Sequence, residues 1–236
     1  MNALEINNLT KSYKDFTLSD LCLTIPEGSI TGFIGENGAG KSTTIKLILG
    51  AIKRDGGDIS ILGSNSYDDS IKEDIGVVLD DVGFPGCLTA VQVGNIMRNA
   101  YKNWSDDLYT DYLRKLGIPD KKPFSDFSRG TRMKLGFAVC MSHSPRLLLL
   151  DEATGGLDPV VRDEVTTIIK DFASDGKHSV LISSHIVSDL EKICDRIAFI
   201  HQGQLLMCKS KEEIAEEYSG MGLEDLFLKM VKGEMQ

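Results

Sequence analysis

The chain has 236 residues, 42% of them hydrophobic and 26% charged, which allows one large domain with a sizeable apolar core and no need of disulfide support. A formal net charge of -9 argues against a broad nucleic-acid surface, which would need clustered Lys and Arg, while leaving room for a local basic patch, and no nucleic-acid partner is expected. The start MNALEINNLTKSYKDF lacks the basic and apolar regions of a signal peptide, and no apolar run is long enough to span a bilayer, so the expected location is the cytosol.

In chain order, residues 1 to 34 read as short strands: ALEINNL, FTLSDLCLTI and SITGFIG, with a turn at Pro26, Glu27 and Gly28 before the third. Between the first two lies Tyr13, an aromatic that could stack on an adenine ring or simply be a half-buried strand tyrosine. GENGAGKST, Gly35 to Thr43, follows the third strand, and KSTTIKLILG reads as a helix ending at Gly50. GGDISILG is another short strand, and IGVVLDD, 75 to 81, a strand ending in two acids.

From about Leu88 to Met141 the strand signals give way to helix-like segments: VQVGNIMRNAY, SDDLYTDYLRKLGI and a helix beginning near Ser128. This stretch is expected to be a helical subdomain, about 82–141, inserted in a single domain that spans 1–236. The α/β pattern then resumes. RLLLLDE is an apolar strand of the parallel, doubly buried kind. A helix from Pro159 to about Phe172, the strand SVLISS, a helix through IVSDLEKI and paired strands RIAFIH and QLLMCK around Gly203 follow. Ser210 and Glu213 form a capping-box pattern for a C-terminal helix, and GLEDLFLKMVKG is weakly amphipathic, expected to pack on its own domain. The five cysteines, Cys22, Cys87, Cys140, Cys194 and Cys208, have no metal-ligand spacing and are expected to be reduced packing residues.

Two stretches carry chemistry. GENGAGKST fits the pattern G-x-x-x-x-G-K-[ST], with Gly35, Gly40, Lys41 and Ser42 in the fixed places. A glycine-rich turn lets backbone N–H groups face phosphate oxygens, the helix after it offers its positive end, Lys41 reaches the β- and γ-phosphates, and Ser42 ligates Mg²⁺. In LLLLDE, Asp151 and Glu152 stand at the C-terminal end of a buried strand, where ligands sit in open α/β sheets. One acid there can support Mg²⁺ and the other can orient or deprotonate a water; adjacent acids are also common turn formers.

Taken with ATGGLDP and SSH downstream, these motifs make the sequence resemble the ATP-binding subunit of an ABC transporter from Leu4 to about Cys208. The resemblance implies an α/β P-loop ATPase core with a mostly parallel sheet, an N-terminal antiparallel β region and an inserted helical subdomain. It matches Tyr13 to the adenine-stacking aromatic and Gly35 to Thr43, including Asn37, Gly38 and Gly40, to the phosphate loop. Asp151 matches the magnesium-supporting acid, Glu152 the catalytic glutamate, Asp158 the loop that crosses to a second protomer, and His185 the switch histidine at the γ-phosphate. The signature segment of the family is Phe127-Ser128-Arg129-Gly130-Thr131 here, keeping Ser128 and Gly130 but placing Arg129 where a glycine is usual. Where the family places a glutamine that touches Mg²⁺, the best alignment puts Asp80, with Asp81 if it slips by one; the acid could also merely end its strand.

The resemblance further implies ATP and Mg²⁺ as cofactors, a second ATP-binding subunit, self or related, and an integral membrane permease as partners. It places the chain at the inner face of the cell membrane through that permease, driving solute movement, with export of a drug, peptide or other hydrophobic solute expected. The rival readings are a soluble non-transport ATPase of the same superfamily, in cofactor assembly or translation, and a nucleotide-sensing module without turnover. The intact Glu152 and His185 weigh against the last.

Overall fold

The computed structural model describes residues 1–64, 69–80 and 82–234. It has two sheets. Strands β1 (Asn2–Ser12), β2 (Thr17–Pro26) and β4 (Gly56–Ile61) form an antiparallel sheet in the order β2-β1-β4. Strands β3 (Ile30–Ile34), β5 (Ile75–Val78), β6 (Leu147–Asp151), β7 (Ser179–Ser184), β8 (Arg196–His201) and β9 (Gln204–Ser210) form the second, in the order β5-β6-β7-β3-β8-β9. Its first five strands run parallel, and β9 returns antiparallel to β8 through a tight hairpin.

The leucine run of β6 shows why the larger sheet reads as unbroken hydrophobicity. Leu147 and Leu149 face a core shared with the smaller sheet and with α1 (Lys41–Ile48), while Leu148 and Leu150 face a second core. That second core is built with α5 (Arg129–Met141), α6 (Pro159–Ala173) and α7 (Val187–Glu191). A side-chain period of two, with apolar layers on both faces, requires apolar residues at every position. Each leucine so buried contributes about 1.5–3 kcal/mol of transfer free energy.

Between the neighbouring strands β5 and β6 the chain builds α3 (Ala90–Ala100), α4 (Asp106–Lys115), a single 3-10 turn at Phe124–Asp126 and α5. These share a third core that includes Val93, Tyr109, Phe124, Phe127 and Leu135. Helix α5 belongs to two cores at once: Met133, Phe137, Cys140 and Met141 point to the sheet, while Leu135, Ala138 and Val139 point to α3 and α4. Both α3 and α4 begin at hydroxyl caps, Thr89 within a capping box closed by Gln92 and Ser105 accepting from Leu108 N–H.

The short helix α2 (Asp69–Lys72) precedes β5, and α8 (Lys211–Glu217) starts at the capping box of Ser210 and Glu213 expected from the sequence. Helix α9 (Leu223–Val231) packs on its own domain through fully buried Leu226 and through Phe227, whose ring meets Phe199 edge-on at 5.1 Å. Cys140 and Cys194 are buried packing residues, and desolvation pushes both thiols up. Strand β5 is shorter than the stretch 75–81 expected to be extended: pairing stops at Val78, and Leu79 and Asp80 leave the sheet. Asp81 lies outside the described residues. Among the described residues no helix is long and apolar enough to cross a membrane.

The β8–β9 hairpin tip joins both sheets to the loop between β3 and α1. Gly203 N–H donates to Ala39 O at 2.9 Å, and Gly203 O accepts from Ser19 N–H at 2.9 Å. Its φ of +78° is open to glycine, and a methyl group there would lie 2.0 Å from Thr17 O, a backbone atom with no room to yield. Gly203→Ala should therefore cost about 2–4 kcal/mol of stability, read as a lowered urea midpoint at unchanged slope. An unchanged midpoint would show that the tip does not tie the sheets together.

Candidate active site

Gly35 to Gly40 connect the end of β3 to the first turn of α1. Gly35 is obligatory by close approach, since a Cβ there would sit 2.5 Å from Ile200 O. Gly40 precedes the helix with φ +114°, where a side chain is strained. The loop is fastened from within by Ala39 N–H donating to Glu36 O at 3.1 Å, and to the helix by the Thr44 hydroxyl donating to Gly40 O at 2.9 Å.

Lys41 is only 5% exposed, and its ammonium is fully engaged. It donates to Gly35 O at 2.7 Å and Glu36 O at 3.1 Å, and stands 3.1 Å from Glu152 Oε1. A buried ammonium needs such compensation, and three acceptors match its three N–H donors.

Asp151 and Glu152 are positioned by one residue that sequence reasoning passed over. Ser183, near the end of β7 and in register with Asp151, donates its hydroxyl to Asp151 Oδ1 at 2.7 Å. The Ser183 hydroxyl oxygen in turn accepts from Glu152 N–H at 3.0 Å. Glu152 has φ +51°, a left-handed conformation that costs a non-glycine residue roughly 1–2 kcal/mol. The turn aims its side chain back over the phosphate loop, where Oε1 meets Lys41 and Oε2 accepts from His185 Nδ1 at 2.8 Å. Because a carboxylate only accepts, Nδ1 carries the proton in this contact. The signal for Ser183 was the second-to-last position of SVLISS, but nothing local distinguishes it from its neighbour Ser184.

A cleft of about 620 Å³ opens here, walled by Asn37, Gly38, Gly40, Lys41, Ser42 and Thr43, with Glu152 and Asp80 opposite and Asp15 and Phe16 at one side. Asp15 and Phe16 were not singled out in the sequence. Tyr13, expected as the adenine platform, is not among the wall residues: it is 47% exposed, tilted against Phe16 at 6.5 Å, with Lys11 Nζ 5.6 Å from its ring centre. Asp80 lines the cleft and is ion-paired with Arg129 of the signature segment.

Ser128, Gly130 and Asp158 do not line this cleft. Ser128 caps α5, its hydroxyl oxygen accepting from Thr131 N–H at 3.2 Å, and remains exposed. Gly130 lies against Val161, which a Cβ would meet at 3.1 Å. Asp158 caps α6 by accepting from Val160 and Val161 N–H, both at 3.1 Å. Ser42, Asp151 and Asp80 supply hard oxygen donors suited to Mg²⁺. No cluster of three or more His, Cys, Asp or Glu with metal-binding geometry occurs among the described residues.

The family described as ABC transporter matches residues 18–155. The chain is 36% identical over 228 residues to the lantibiotic transport ATP-binding protein SrtF of Streptococcus pyogenes, covering 95% of both chains. It is 37% identical over 214 residues to the bacitracin transport ATP-binding protein BcrA of Bacillus licheniformis, covering 86% of this chain and 68% of the other. Among solved structures, an ATP-binding subunit of an ABC transporter superposes with a TM-score of 0.86 at 25% identity, over 97% of this chain and 99% of the other. CbiO1 of Clostridium perfringens shares the fold, with a TM-score of 0.77 at 23% identity over 92% of each chain. With the phosphate loop, the acidic strand end and the sheet order in agreement, the chain belongs to the ABC transporter family as an ATP-binding subunit, and its enzymatic activity is that of an ATPase.

Proposed function

We propose that the chain hydrolyses Mg·ATP as one half of a dimer enclosing two nucleotides, and that closing and opening of the dimer drives export of a peptide or other hydrophobic solute through a separate integral membrane permease. The observation that carries this reading is the Lys41–Glu152–His185 contact across the phosphate loop. The names of the lantibiotic and bacitracin relatives support export and a peptide-like solute. In this role the chain lies at the cytoplasmic face of the membrane, held there by the permease. We take about 82–141 as a helical subdomain inserted in one domain spanning 1–236, a reading supported by the third core between adjacent strands β5 and β6.

The residues divide the work by charge. Entering phosphates exchange places with the loop carbonyls and Glu152 around the Lys41 ammonium, so the lysine trades one set of oxygens for another. Glu152 Oε1, released from Lys41, then accepts a proton from the attacking water, while His185 keeps hold of Oε2 and faces the γ-phosphate. The water oxygen forms a bond to the γ-phosphorus as the bond from γ-phosphorus to the β,γ-bridging oxygen breaks, and ADP carries the leaving oxygen. Ser42, Asp151 and Asp80 would hold magnesium, which would supply neutralisation of phosphate charge. Phe16 adds apolar surface to the Tyr13 side of the cleft for the base.

A second subunit is required in this reading because Ser128, Gly130 and Asp158 do not line the cleft of their own chain. Ser128 and the positive end of α5 grip the γ-phosphate bound to the partner. Beside Asp158, Val160 is 68% exposed, an apolar group suited to burial at that contact.

Lys41→Ala should weaken Mg·ATP binding about 10- to 100-fold by calorimetry, the worth of a charge-assisted contact, and abolish phosphate release. Unchanged affinity would place the nucleotide elsewhere. Glu152→Gln keeps the side chain's shape but cannot take the proton, so uncleaved ATP should hold two chains together. On a sizing column this variant should move from monomer to dimer with Mg·ATP and stay monomeric with Mg·ADP. Failure to dimerise at saturating ATP would exclude a self-dimer.

A further inference from the structure

Two oppositely charged residues far apart in the sequence are brought together by the fold. Asp80 lies two residues beyond the end of β5, and Arg129 opens the first turn of α5. They are 49 residues apart in sequence and joined by an ion pair. Asp80 stands in the wall between two clefts, one over the phosphate loop and one of about 460 Å³ bordered by Phe127, Arg129, Arg132 and Met133. The Arg129 guanidinium rests on Gly156, where a methyl group would meet its carbon at 3.3 Å. Gly156 lies on the loop that leaves Glu152, so the arginine is braced against the catalytic turn and reaches Asp80 from there.

We propose that Arg129 is a positioning residue that competes with magnesium for Asp80 and thereby sets the Mg²⁺ concentration at which the nucleotide site loads. The inference rests on the reading of Asp80 as a metal-side contact. One carboxylate faces two cations. Paired with the guanidinium through Oδ1 the carboxylate is neutralised while still lining the phosphate-loop cleft; charge that it shares with Mg²⁺ there weakens its hold on the arginine and favours release. The release has a second consequence, because Arg129 stands next to Ser128 on the helix end that faces the partner's nucleotide in the proposed dimer. Metal loading of one site thus frees a cation for the other.

Both side chains are about half exposed, 54% for Asp80 and 51% for Arg129, so the pair is partly screened by water and its effect is modest. An exposed pair of this kind corresponds to roughly a two- to fivefold change in an equilibrium constant. The exposure also means that conservative replacements at either position leave the cores untouched.

The test is a Mg²⁺ titration of trinitrophenyl-ATP binding, read by fluorescence on the full chain without turnover. Arg129→Gln should lower the half-saturating Mg²⁺ about two- to fivefold, Arg129→Lys should stay near the wild type, and Asp80→Asn should raise it. Arg129→Gln added to Asp80→Asn should change nothing further. High salt should narrow the gap between wild type and Arg129→Gln, because the ion pair is screened. If Asp80→Asn shifts the titration but Arg129→Gln does not, the competition is wrong and the metal reading of Asp80 stands. Equal effects of Arg129→Gln with and without Asp80 would mean that the arginine acts by general charge, which also overturns the proposal. A titration unmoved by Asp80→Asn removes the metal contact and the competition together.

Discussion

A lysine ammonium with 5% of its surface exposed has to be neutralised, and the arrangement of this protein around Lys41 follows from that constraint. Three oxygens meet it: two carbonyls of the glycine-rich turn and the carboxylate of Glu152. To bring them there, β3 must end beside β7 and β6 beside β7, with all three C-terminal ends on one edge of the sheet. Parallel pairing supplies that edge. Ser183 then fixes the acid pair from the middle strand with a single hydroxyl that donates to Asp151 and accepts from Glu152 N–H.

The same constraint explains why the site is prepared for phosphate. Lys41 is held by contacts of the kind a phosphate can replace, so binding exchanges partners and does not bury a new charge. In the proposed reaction Glu152 changes role in that exchange, from counter-ion of Lys41 to proton acceptor, while keeping its contact with His185. Its left-handed backbone is a local cost that the hydrogen bonds to Ser183 offset, and strain at this position is tied to the direction in which the carboxylate points. The hairpin tip at Gly203 holds the other side of the loop through Ala39, so the rigid frame of the site extends to the far end of the sheet.

Much of this was legible in the residues because it is local. The phosphate turn is encoded by glycines at Gly35 and Gly40, where close approach and positive φ admit nothing else. The doubly buried strand announces itself as four consecutive leucines, and Ser128 and Ser210 mark helix starts by their own hydroxyls. What escaped was tertiary. Ser183 and Ser184 look alike until β7 is set in register with β6. Asp80 reads as a metal contact or a strand end from its neighbours, and its pairing with Arg129 emerges only when α5 is folded against the loop after Glu152. Phe16 rather than Tyr13 borders the cleft because the β1–β2 turn curls back over the loop, a direction that strand periodicity does not specify.

On nucleotide binding, Lys41 in the proposed mechanism exchanges Glu152 and the loop carbonyls for phosphate oxygens. A crystal structure of the chain with Mg²⁺ and a non-hydrolysable ATP analogue measures this directly. Lys41 Nζ should then lie about 2.7–2.9 Å from a β- or γ-phosphate oxygen, with Glu152 Oε1 parted from it and His185 still on Oε2. Nucleotide bound with Lys41 still seated against Glu152, Gly35 O and Glu36 O would contradict it.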